Sequence, residues 1–107
     1  MPAPANAARG EVALTIDGVP RRMRLTLGAL AELEGALQTP SLIALAERFE
    51  NGSVAATDLI ALLSAGLRGA GEAVSTEELA RAEIAGGAVG ALEAGLALLA
   101  AAFRADP

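Results

Sequence analysis

Apolar and polar residues alternate from Glu11 onward, with Val12, Leu14 and Ile16 on one side of an extended chain and Ala13 and Thr15 on the other. Asp17-Gly18 then supplies a two-residue loop of the kind that closes a type I′ hairpin. The returning strand alternates again, Met23, Leu25 and Leu27 on one face and Arg22, Arg24 and Thr26 on the other. With that turn fixed, Ile16 faces Val19, Val12 faces Met23, and Glu11 faces Arg24 as an opposite-charge pair. Pro20 opposes Thr15 in a non-hydrogen-bonded pair, so its missing N–H points away from the partner strand. Arg21 falls on the apolar face beside Leu14 and is expected to snorkel outward along its own stem.

After Thr26, a suitable N-cap, the period lengthens to that of a helix, with Leu27, Leu30, Leu33 and Leu37 in register. Thr39-Pro40-Ser41 breaks it. A second short helix follows with Leu42, Leu45, Ala46 and Phe49 inward, closed by Asn51-Gly52. A third runs from about Ala55 to Leu67 on Leu59, Leu62, Leu63 and Leu67, and Gly69-Ala70-Gly71 ends it. Ser75-Thr76-Glu77-Glu78 reads as a capping box that starts a short fourth helix. Gly86-Gly87 interrupts the pattern near Ile84, and the last helix runs from about Ala88 to Phe103, with Leu92, Leu96, Leu99 and Phe103 recurring and Arg104 suited to its C-terminal dipole. Met1 to Gly10, with two prolines among small residues, has the composition of a flexible tail. The expectation is an α+β fold: a tail over residues 1–10, then one domain over residues 11–104 in which an N-terminal β-hairpin packs on a small bundle of four or five α-helices.

Composition narrows the chemistry. The 107 residues contain no Cys, His, Trp, Tyr or Lys, which removes thiolate and imidazole zinc ligands, Ser-His and Cys-His pairs, Schiff-base lysines and disulfides. The acidic residues stand singly or at helix starts instead of at the loop spacing a hard cation needs. Neither an enzyme nor a cofactor or metal protein is therefore expected. A net charge of −5 and only two aromatic rings argue against a nucleic-acid partner. The N-terminus lacks the apolar run of a secretory signal, which with no cysteine points to a cytoplasmic protein. A hydrophobic fraction of 53% and a mean hydropathy of +0.47 are high for so short a chain. Two explanations stand side by side: apolar surface reserved for partners, or alanine, which sits comfortably on exposed helix faces.

Glu93 is the one charged residue between Gly86 and Phe103, so the last helix has no obvious solvent face. It reads as a core helix, as one that lends a second face to a partner, or, less well given its length and Glu93, as a membrane span. Arg21, Arg22 and Arg24 form a basic cluster that could grip carboxylates on a partner, or simply a charged strand face that discourages aggregation. Glu32 with Glu34 and Glu77 with Glu78 resemble acid-base pairs but are more simply helix surface. Gly66, Gly69 and Gly71 have neither the lysine nor the preceding strand of a phosphate loop and read as helix-terminating glycines.

The run GEVALTIDGVPRRMRLTLGALAELEGAL, followed by SLIALAERFENG and DLIALLSAGLRGAGEAVSTEELA, resembles the gene-transfer-agent family of phage tail assembly chaperones. The resemblance covers roughly Gly10 to Phe103 and is most telling in RLTLGALAELE, LIALAERF and LLSAGLRGAG; Pro20 departs from the pattern. It implies a protein of a gene transfer agent or prophage tail that coats the tape-measure protein and recruits tail-tube protein, with no catalytic residues to carry over. The family has also been labelled a tail-tube protein, which implies the alternative, a structural tail-tube or tail-connector component. Self-association into a homo-oligomer stays open, and no membrane is implied. Leu59, Leu62 and Leu63 of the third helix and Leu92, Leu96 and Leu99 of the last are the candidate partner-binding residues, because their segments carry more apolar residues than one buried stripe requires; Arg22 and Arg24 are the alternative docking site.

Overall fold

The structure, a computed structural model, describes residues 5–6, 9–37 and 41–103. Most of the expected tail, Thr39 and Pro40 of the expected break, and Arg104 lie outside the described residues. Two strands, β1 (Val12–Ile16) and β2 (Val19–Met23), precede five helices: α1 (Leu27–Ala36), α2 (Leu42–Asn51), α3 (Ala56–Gly69), α4 (Thr76–Arg81) and α5 (Gly87–Phe103). This is the α+β hairpin-and-bundle architecture that the periodicities predict.

The hairpin has the expected register, from Val12 opposite Met23 to Ile16 opposite Val19. Asp17 and Gly18 take positive φ of 50° and 79°, the left-handed pair that a type I′ turn demands. Gly18→Val puts a β-branched side chain at that φ, so we expect a loss of about 1 kcal/mol or more in a denaturant melt. An unchanged midpoint would count against the turn. Leu14, Ile16 and Met23 enter the core. Glu11 is also buried, but its ion pair is the 4.0 Å one with Arg22 rather than one with Arg24, which is directly opposite. Its carboxylate also accepts the Asn6 N–H at 2.8 Å, and the Asn6 carbonyl accepts the N–H groups of Arg9 and Glu11, so the described end of the N-terminal segment is tied to β1.

Beside β1 the short segment 83–85 adds a bridge, Ile16 opposite Ile84. The Asp17 N–H donates to Glu83 O at 2.8 Å and the Ala85 N–H to Thr15 O at 3.1 Å. The Asp17 carboxylate takes the Glu83 N–H as well, at 2.8 Å.

Helix ends follow the local signals. The hydroxyls of Thr26 and Ser41 accept the N–H groups of Ala29 and Ala44, each at 3.1 Å, and Gly52 closes α2 at φ 69°. At α4 the Ser75 hydroxyl accepts the Glu78 N–H while the Ser75 N–H donates to the Glu78 carboxylate, which holds that carboxyl below its ordinary value.

α3 is the central helix. Its residues from Leu62 to Leu67 are buried in an unbroken run, and α1, β2, α4 and α5 all pack on it. Three glycines in GLRGAG, expected to terminate the helix, divide into two roles. Gly71 does terminate it, at φ 81°, with the Gly71 N–H donating to Arg68 O and the Glu72 N–H to Leu67 O, the Schellman arrangement. Gly66 lies inside α3 and Gly69 is its last residue, and at both the absence of a side chain lets the end of β2 approach. A Cβ on Gly66 would come within 3.0 Å of Met23 Cβ, and one on Gly69 would overlap the Arg24 carbonyl oxygen. The close approach is sealed by the Arg24 N–H donating to Gly66 O at 2.8 Å.

Candidate protein-binding surface

Of the six exposed large apolar residues among the described residues, three lie on the last helix. Its buried residues are Ala91, Gly95, Leu98 and Leu99, a face rotated roughly a quarter turn from the expected Leu92, Leu96, Leu99 and Phe103 stripe. The reason is size. Gly95 lies where a Cβ would meet Phe49 Cζ at 2.9 Å and Leu59 Cδ1 at 3.0 Å, so α5 approaches α2 and α3 through its small residues and turns several larger ones outward.

The outward arc carries Val89, Leu96 and Phe103, which are 66%, 48% and 52% exposed. They recur every seventh residue, a spacing that on an α-helix drifts only about 20° per step, so they line up along the helix. Ala97 and Ala100 lie between them and Glu93 is the one charge on the arc. A row of this spacing supplies one of the two apolar positions per heptad that a helix–helix seam uses. α5 is therefore not the all-round core helix; α3 takes that place. Among the described residues, no helix is long and apolar enough to cross a membrane.

The six leucines expected to bind partners separate accordingly. Leu62, Leu63 and Leu99 are core residues, withdrawn as surface contacts because contacts within the fold already cover them. Leu59 and Leu92 are partly buried against the core, and Leu96 alone is exposed. Sequence reasoning missed Val89 and put Phe103 in the recurring row with Leu99 without naming it as a contact; the seven-residue spacing of both with Leu96 was the signal available. Leu27, expected on an inward face, is exposed at the start of α1, and Ile43 is exposed on α2.

The hairpin arginines have partners within the chain. Arg21 Nη1 lies 3.1 Å from Glu72 Oε1, and Arg22 Nε is 3.9 Å from the other Glu72 oxygen. Arg21 thus leaves the apolar face as expected, toward a carboxylate. Arg24 docks to α3 through its backbone. The charged-face reading fits Arg21 and Arg22 better than an open grip on a partner's carboxylates, since their own chain already supplies the acids.

One apolar groove of about 380 Å³ is flanked by α1, α3 and α4, with Ala36, Ile60, Ala61 and Ala80 in its walls. Arg68 on its rim is held by Glu32 at 3.1 Å and by the Ser64 hydroxyl at 2.8 Å. Among the described residues, no group of three or more Asp or Glu side chains stands where it could hold a metal ion. Glu32 faces Arg68 and Glu77 pairs with Arg81 at 3.7 Å, so neither acidic pair converges on a common point.

A family model described as phage tail tube protein, GTA-gp10, matches residues 9–105. The chain belongs to this family. That membership places it among tail-related proteins of phages and gene transfer agents, and the match takes in the hairpin and all five helices. The description names a tail tube protein, which fits the structural alternative raised by the sequence better than the chaperone role. No curated protein and no solved structure matches the chain.

Proposed function

We propose that this protein is a non-catalytic, protein-binding component of the tail tube, or of its connector, in a phage-type particle. The observation that carries the reading is the family match over residues 9–105, whose description is a tail tube protein. The outer face of α5 supplies the contact: Val89, Leu96 and Phe103 form an apolar seam in a chain whose net charge of −5 keeps it in solution. In this role the seam meets neighbouring tail proteins, among them other copies of the chain and the tape-measure protein.

A second reading is favoured by that same seam. A helix-spaced apolar stripe suits transient cover for apolar helices, so the chain could serve as an assembly chaperone that binds the tape-measure protein and brings in tail-tube subunits. Neither role needs a catalytic group.

Quantitative mass spectrometry of purified particles separates the two. A structural component is expected in fixed stoichiometry with the other tail proteins. Its absence from finished particles, together with its presence on tape-measure protein in lysates, would overturn the structural reading and leave the chaperone.

A further inference from the structure

We propose that the Glu72 carboxylate is a plug on the outer edge of β2, closing the hairpin to strand addition by another chain. The argument starts from which backbone groups of β2 face outward. In an antiparallel pair they alternate, and with Ile16 and Val19 as the hydrogen-bonded pair beside a two-residue turn, the outward positions are Pro20, Arg22 and, just past the strand, Arg24. An unpaired row of such groups is a template on which another strand can form.

Each outward N–H is missing or occupied. Pro20 has none. The Arg22 N–H donates to Glu72 Oε2 at 3.3 Å. The Arg24 N–H donates to Gly66 O at 2.8 Å. On the opposite side of the hairpin, segment 83–85 occupies Thr15 O and the Asp17 N–H, and the Asn6 carbonyl accepts the Glu11 N–H, so that edge is engaged at both ends.

Glu72 differs from the other closures because a side chain stands in for a strand carbonyl, and the local sequence puts it there. Gly71 at φ 81° ends α3, and the Glu72 N–H returns to Leu67 O at 2.9 Å, which turns the chain back toward β2. The carboxylate, 15% exposed, is then fixed between Arg21 and Arg22. One acid thus pairs with two half-buried guanidinium groups, of which Arg22 also meets Glu11, and closes the outward-facing Arg22 amide. The consequence is that partners meet the helical surface and not the sheet edge, whichever tail role the chain has.

The test restores the edge. Glu72→Ala frees the Arg22 amide, and Pro20→Thr added to it returns the second N–H. By amide hydrogen exchange, Glu72→Ala is expected to speed exchange at Arg22 about tenfold or more, the loss of one hydrogen bond to a charged group. The double variant is expected to show concentration-dependent association in sedimentation, with an intermolecular β signal in the infrared amide band, beyond whatever the native chain shows. Unchanged Arg22 exchange, or a folded double variant that associates no more than the native chain, would overturn the plug. If Glu72→Ala does not fold, Glu72→Gln decides, because it keeps an acceptor oxygen and drops both ion pairs. Retained protection of the Arg22 amide is the expected result; lost protection in folded Glu72→Gln would show that the ion pairs, and not the acceptor, close the edge.

Discussion

Gly69→Ala is expected to destabilise the protein by about 3 kcal/mol or more, at or beyond the upper end of what overpacking a core by one methyl usually costs. The added carbon would overlap the Arg24 carbonyl oxygen, which is backbone and cannot turn aside as a side chain can. Relief requires α3 to move off the end of β2, and that movement breaks the Arg24 N–H bond to Gly66 and loosens Met23, which is fully buried against the same helix. Gly66→Ala should cost less, because its nearest obstacle is the end of the Leu98 side chain, which has rotamers to choose from. Gly35→Ala is the control. It lies in α1 with open space around the missing Cβ, so the substitution should stabilise by roughly 0.5–1 kcal/mol through helix propensity alone. Chemical denaturation of the three variants gives the order directly. Equal behaviour of Gly69→Ala and Gly35→Ala would remove the close approach of α3 to β2 from this account.

The contrast also shows what the sequence discloses. The hairpin was legible because its determinants are local: alternation across five residues, and Asp-Gly at a turn that needs two positive φ angles. The starts of α1 and α4 were legible for the same reason, since the caps of Thr26 and Ser75 act on residues three positions away; Ser41, read only as part of a break, caps α2 in the same way. Long-range relations were not. Nothing near Gly66 and Gly69 in the chain says that a strand will press on them, and nothing near Glu72 says that its partner is an amide fifty residues earlier. The orientation of α5 was hidden for another reason. Ala and Gly occur on all its sides, so a leucine period marks no unique inward face, and the choice fell to whichever side let Phe49 and Leu59 approach Gly95. The sequence therefore could not say which of the six candidate leucines stay exposed; Leu62, Leu63 and Leu99 belong to the core, and Val89 went unnoticed.

The second large effect concerns binding. Leu62→Glu would put an unpaired carboxylate in the fully buried centre of α3 and is expected to cost on the order of 4 kcal/mol, enough to unfold many small domains. Leu96→Glu places the same group in solvent on α5, so its effect on stability should stay within about 0.5 kcal/mol, including mild repulsion from Glu93 three residues before it. Its effect on association should be large. Leu96 sits midway between Val89 and Phe103, so a charge there interrupts the seam at its centre, where truncating a dominant contact commonly weakens binding about 30-fold or more. Val89→Glu, at the end of the seam, should do the same more weakly, while an exposed substitution away from it, Ile43→Glu on α2, should leave binding as it is.

The most direct measurement is co-purification from particle-producing cells of tagged native, Leu96→Glu and Ile43→Glu chains, each first shown to melt like the native protein. We predict that the native and Ile43→Glu chains bring down tail-tube and tape-measure proteins and that Leu96→Glu does not. Undiminished recovery of those proteins by a folded Leu96→Glu chain, or recovery of none by the native chain, would contradict the outer face of α5 as the surface through which this protein joins the tail.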